Sequence, residues 1–123
     1  KTVAALRERQ ARWPERYKRL FLEIGRVARE GAAAVTAGDL DSLGDLMNVN
    51  QGLLNAVGLS SEGLEAMVNR LRRHGALGAK LTGAGGDGGA VLGLFREPEP
   101  IVAKLEREGV TCFVSQLAGP RAL

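Results

Sequence analysis

Cysteine is nearly missing from this chain. Cys112 is the single one, so no disulfide can close within it, and a reducing cytoplasm is the simpler setting. It lies in Val110-Thr-Cys-Phe-Val114, an apolar run that reads as a buried strand, which makes it a core thiol rather than a nucleophile. No stretch approaches ~18 uninterrupted apolar residues, so the sequence encodes no helical membrane span. No signal peptide precedes the first helical pattern, and the first residue is Lys1 rather than methionine. A piece of a longer protein is therefore expected. Internal repeats and low-complexity linkers are also lacking. Histidine occurs once, as His74 after two arginines at a helix end, where its charge complements the helix dipole better than it suits catalysis.

What remains is enough for one domain. The chain has 123 residues, of which 45% are hydrophobic and 25% charged, an ordinary soluble balance. The net charge of +3 and a pI of about 9.5 raise the question of nucleic acid. The basic density of the first 29 residues is interleaved with Glu8, Glu15 and Glu23, so it reads as solvated helix. Local positive potential toward an anionic small molecule is the other reading.

Apolar spacing and stop signals give the expected elements. Val3 to Arg9 is a short basic helical segment, and Pro14 suits the first turn of a second helix. In that helix Tyr17, Leu20, Phe21, Ile24, Val27 and Ala28 follow the 3.6-residue period; Gly31 weakens it and Gly38 ends it. Asp39 caps a third helix carrying Leu40, Leu43, Leu46 and Met47, which stops at Gly58. Ser60 or Ser61 caps a fourth, with Glu62 and Glu65 at its positive end and Arg70, Arg72 and Arg73 at its negative end. The pattern then changes. Gly78 to Thr82 and Ala90 to Phe95 read as strands around a glycine loop. Pro98 and Pro100 open a short helix ended by Gly109, and Val110 to Ser115 reads as a third strand. The sum is α+β, with helices on one face of a small sheet. Three strands leave an exposed edge, for which a partner strand from sequence before Lys1 is expected.

Seventeen glycines are about twice the usual share, and five of them fall in Gly83 to Gly89. Glycine is entropically unfavourable to order, so such a loop needs a reason. Positive φ angles are one. Close approach of backbone N–H groups to an anion is the other. A P-loop is excluded, since Gly89-Ala90 stand where Lys-Ser/Thr should follow. Gly83, Gly85 and Gly88 match G-x-G-x-x-G, but the strand-like Ala90-Val-Leu-Gly-Leu-Phe95 follows where a dinucleotide site needs a helix. A protein-kinase glycine loop lacks its companion motifs here. A tight glycine hairpin under a helix and an anion-binding loop both stay open.

Thr82-Gly-Ala-Gly-Gly-Asp-Gly-Gly89, preceded by Ala79-Lys80-Leu81, resembles the third conserved motif of the GHMP small-molecule kinases. The upstream Leu46-Met-Asn-Val-Asn-Gln-Gly-Leu-Leu-Asn-Ala-Val-Gly-Leu-Ser60 is most similar to the mevalonate kinase branch of that family, and the match covers about Asp45 to Leu94. The resemblance implies that residues 1–123 are the C-terminal domain, a small ferredoxin-like antiparallel sheet with helices packed on one face. It implies an ATP- and Mg²⁺-dependent kinase whose catalytic residues lie in an N-terminal ATP-binding domain outside this chain. That domain and a small-molecule substrate are the implied partners, with neither nucleic acid nor membrane, and a homodimer stays open.

The implied loop positions are Thr82, Gly83, Ala84, Gly85, Gly86, Gly88 and Gly89, which would face phosphate. Lys80 shares a strand face with Thr82 and could reach the substrate; it reads equally as a surface lysine. Asn48, Gln51 and Asn55 share a helix face, either a polar patch at the acceptor pocket, with Gln51 a substrate contact, or a solvated helix side. Asp87 departs from the family's usual glycine and Gly89 from its frequent cysteine. Another GHMP kinase (phosphomevalonate, homoserine or galactose kinase) and a non-catalytic phosphate-binding or oligomerisation module are the alternatives.

Overall fold

The computed structural model describes residues 2–83 and 89–117, with the side chain of Thr2 excepted. Among them run five helices and one hairpin: α1 (Thr2–Arg12), α2 (Pro14–Ala37), α3 (Leu40–Ala56), α4 (Glu62–Arg73), β1 (Gly78–Thr82), β2 (Ala90–Leu94) and α5 (Glu99–Arg107). The strands pair antiparallel, from Gly78 opposite Leu94 to Thr82 opposite Ala90. The α+β architecture is the expected one.

The helix boundaries follow from local chemistry. Pro14 occupies the first turn of α2, and Gly38 closes it with its N–H directed at the Ala34 and Val35 carbonyls. Asp39 caps α3 by accepting from Ser42 N at 3.1 Å, and Ser61 caps α4 by accepting from Leu64 N at 3.2 Å. Gly31 does not interrupt α2. A Cβ there would stand 3.8 Å from Leu43 Cδ1, so the packed face of α3 supports the helix through its weakest residue.

Two apolar clusters result. Leu6, Tyr17 and Val57 join α1, α2 and the end of α3, with Phe21 and Ile24 packed against them. Arg9 ties the same three elements, donating to the Tyr17 hydroxyl at 2.8 Å and to the Val57 carbonyl at 2.6 Å. Val68, Leu71, Ala79 and Leu105 form the second cluster, which sets α4 and α5 against the hairpin. The basic residues of α1 and α2 are largely solvated; Arg12 and Arg16 lie over the Trp13 ring and Arg26 pairs with Glu23 and Glu30.

One expectation is corrected. The run Val110 to Ser115 is not a third strand, because it finds no ladder partner among the described residues. Its apolar pattern is satisfied otherwise: Val110 and Cys112 pack on the second cluster, while Phe113 stays 88% exposed. The outer edge of β1 is taken by a helix rather than a strand. α3 lies along it, so closely that a Cβ on Gly78 would sit 2.1 Å from Gly44 O, and one on Gly44 would sit 2.5 Å from Leu77 O.

That backbone contact leaves room for hydrogen only. Gly44→Ala should therefore destabilise the fold by about 1–3 kcal/mol, the usual range for overpacking. Urea denaturation of both proteins measures it; equal midpoints would mean that α3 can withdraw from β1 without loss.

Candidate functional site

The site is built where β1 ends. Asn48 Oδ1 accepts from Ala79 N at 3.0 Å, and Gln51 Oε1 accepts from Leu81 N at 2.7 Å. Alternate N–H groups on the edge of β1 are thus taken by amides three residues apart on α3. Three helical residues rise ~4.5 Å, and two strand residues ~6.8 Å. The additional methylene of glutamine helps to span the difference. Gln51, 2% exposed, also donates to Ser60 Oγ at 3.1 Å and Glu65 Oε2 at 2.5 Å, while Asn48 accepts from Arg72 Nε at 3.0 Å. Neither amide belongs to a solvated helix side.

With β1 held on both edges, its far end is presented at a recess of about 220 Å³. Ile24 of α2, Leu54 of α3 and Leu59 supply an apolar wall; Asn50, Lys80 and Thr82 supply polar groups, and Gly83 stands at the exit of the strand. Gly83 has φ +79°, a backbone that turns the chain away from β1 at once and that glycine adopts without strain.

Lys80 is half-buried, and burial pushes its pKa below the ordinary lysine value. Its ammonium donates to the Leu81 carbonyl at 2.7 Å and has no carboxylate within ion-pair distance among the described residues. A cation held this way attracts an anion into the recess. Asn50 is the residue that sequence reasoning passed over. It is 8% exposed, lines the recess, and has no side-chain hydrogen-bond partner among the described residues. Its signal was its place in the helix, about 100° round from Gln51, toward α2 rather than β1.

Of the expected site residues, Lys80, Thr82 and Gly83 are brought together, and Gly89 leads into β2. Gln51 is not among the recess lining; it sits behind it and holds Leu81. Ala84, Gly85, Gly86, Gly88 and Asp87 lie outside the described residues. His74 faces α5, where Glu108 accepts from it at 3.2 Å. No group of three or more His, Cys, Asp or Glu side chains among the described residues could hold a metal ion. No helix among them is long and apolar enough to cross a membrane.

Residues 31–111 match the family described as GHMP kinases C terminal. A mevalonate kinase of Aeropyrum pernix is 55% identical over 73 residues, which is 59% of this chain and 22% of that protein. One from Thermococcus gammatolerans is 41% identical over 107 residues, covering 82% and 31%. Mevalonate kinase of Arabidopsis thaliana is 34% identical over 127 residues, covering 95% and 33%. The chain thus spans about a third or less of the length of these relatives. Among solved structures, L. major mevalonate kinase in complex with R-mevalonate superposes with a TM-score of 0.76 at 34% identity, over 87% of this chain and 33% of that one.

The depressed Lys80 pKa fixes the sign of a pH effect. The unfolded chain binds this proton more tightly than the folded one, so Lys80 opposes folding at neutral pH, and that opposition fades as pH rises toward 10.5. Lys80→Met should be the more stable protein at neutral pH, with its advantage closing at alkaline pH. Chemical denaturation across that range reads the difference, and a pH-independent gap would refute the desolvation of Lys80.

Proposed function

The chain belongs to the GHMP kinase family as its C-terminal domain, and from that premise we propose that it is part of an ATP-dependent mevalonate kinase. The complete enzyme would move the γ-phosphate of ATP to the mevalonate hydroxyl, in isoprenoid biosynthesis. The observation that carries this reading is identity as high as 55%, over 73 residues, to a protein bearing that name.

On this reading Thr82, Gly83, Ala84, Gly85, Gly86, Gly88 and Gly89 offer backbone N–H groups and one hydroxyl where phosphoryl transfer builds negative charge. An oxyanion suits the described residues: it would give the Lys80 ammonium the opposite charge that its surroundings withhold. Lys80 then faces substrate directly, and Gln51 serves the site from behind by fixing Leu81. A dication does not suit them, since no carboxylate cluster is present among the described residues. Mg²⁺ and the catalytic carboxylate fall to an N-terminal domain, the partner we infer for this chain. We place the complete enzyme in the cytoplasm, acting on a small molecule rather than on nucleic acid or membrane.

The test is ADP release by the full-length gene product, offered mevalonate, phosphomevalonate, homoserine and galactose in parallel. Turnover with mevalonate alone is expected. Silence with all four, from a folded protein that still binds ATP, would overturn the reading. In the same enzyme Gly85→Val should lower kcat by about 100-fold or more, the loss that accompanies removal of a transition-state donor, with the circular dichroism spectrum unchanged.

A further inference from the structure

Both amides that hold β1 answer to charged side chains of α4. Asn48 Oδ1 accepts from Ala79 N and also from Arg72 Nε at 3.0 Å. Gln51 Nε2 donates to Glu65 Oε2 at 2.5 Å and to Ser60 Oγ at 3.1 Å. Ser60 Oγ donates to the same carboxylate oxygen at 2.6 Å. Glu65 and Arg72 lie about two helical turns apart, on one face of α4.

The signs of these charges matter because a side-chain amide has two ends of nearly equal shape. Turned over, Gln51 would bring its NH₂ against Leu81 N–H and its oxygen against Glu65. A carboxylate accepts only, and a guanidinium donates only. Glu65 therefore takes the NH₂ end of Gln51 and leaves Oε1 for Leu81 N, while Arg72 takes the oxygen end of Asn48. At 2% exposure Gln51 has no bulk water to satisfy the reversed amide. The helix dipole alone does not call for this acid, since Glu62 stands in the same first turn.

Leu81 is where this choice is felt. Its N–H is held by Gln51 and its carbonyl by the Lys80 ammonium at 2.7 Å. Two residues later, at Gly83, the chain turns out of β1 with φ +79°. We propose that Glu65 is a positioning residue, which through Gln51 fixes the backbone from which the glycine segment departs. It is not among the residues lining the recess and acts only through the amide. The proposal deepens the proposed function and rests on it in one respect: the glycine segment serves phosphoryl transfer.

The test is a double-mutant cycle in the full-length protein. Glu65→Gln lets either end of Gln51 face α4, and Gln51→Glu sets two carboxylates against each other. With both substitutions the polarity is restored: a carboxylate at position 51 accepts from Leu81 N, and an amide at position 65 donates to it. The exchange rate of the Leu81 amide hydrogen, followed by NMR, should rise about threefold to 10-fold in Glu65→Gln and more in Gln51→Glu. It should return to within about twofold in the double variant. The Ala79 amide, held by Asn48, should keep its rate throughout. In turnover, kcat should fall and recover in the same order, with KM for ATP within about twofold. An unchanged Leu81 rate in Glu65→Gln, equal rises at Leu81 and Ala79, or a double variant no better than its components would overturn the proposal. A full kcat in Glu65→Gln would overturn it too. If the wild type phosphorylates no acceptor, the proposed function fails, and the amide rates alone decide whether Glu65 positions Leu81.

Discussion

Two amide side chains on one helix hold the β1 edge of a two-stranded sheet, and the rest of the site depends on them. A hairpin alone is marginally stable in water and presents unpaired N–H groups along its edges. Here Asn48 and Gln51 accept from Ala79 N and Leu81 N, so α3 stands where a further strand would otherwise pair. Each such bond contributes about 0.5–1.5 kcal/mol net, but leaving the edge groups buried and unmatched would cost more. The absence of side chains at Gly44 and Gly78 makes the arrangement possible, because only hydrogen fits between the two backbones. The same amides reach Arg72 and Glu65 of α4, so one helix registers both the strand edge and the helix packed over the sheet.

This arrangement also explains where the recess lies. Once residues 48 and 51 of α3 are turned to β1, the helical period turns residues 50 and 54 toward α2. Ile24 closes that side, and β1 delivers Lys80 and Thr82 to the opening. The recess is therefore a consequence of registering a helix against a strand edge, and the glycine segment begins at its rim.

Much of this was legible in residue order. Helix starts at Pro14, Asp39 and Ser61, and the stop at Gly38, are encoded in short-range chemistry, where a side chain or a missing Cβ acts within four residues. The run after Gly109 was not legible. An apolar alternation marks a side to be buried, but a strand also needs a ladder partner, and this run finds none among the described residues. The amides of α3 were ambiguous for a related reason. Asn48, Asn50 and Gln51 are similar in a sequence, and only the tertiary structure shows that two meet a backbone while one meets open space. Long-range backbone pairing by side chains has no local signature.

The contrast between those amides is the clearest functional signal in the domain. Asn50 lines the recess with no side-chain partner among the described residues, its amide atoms open to solvent there, and Lys80 is half-buried with no carboxylate within ion-pair distance among those residues. Four residues away, Leu54 shows that an apolar side chain also suits this wall. Gln51, on the adjacent position, has its amide fully matched, so the helix does not tolerate unmatched amides in general. Both groups face the same recess, and of the two the Lys80 ammonium is the one whose charge favours an anionic occupant.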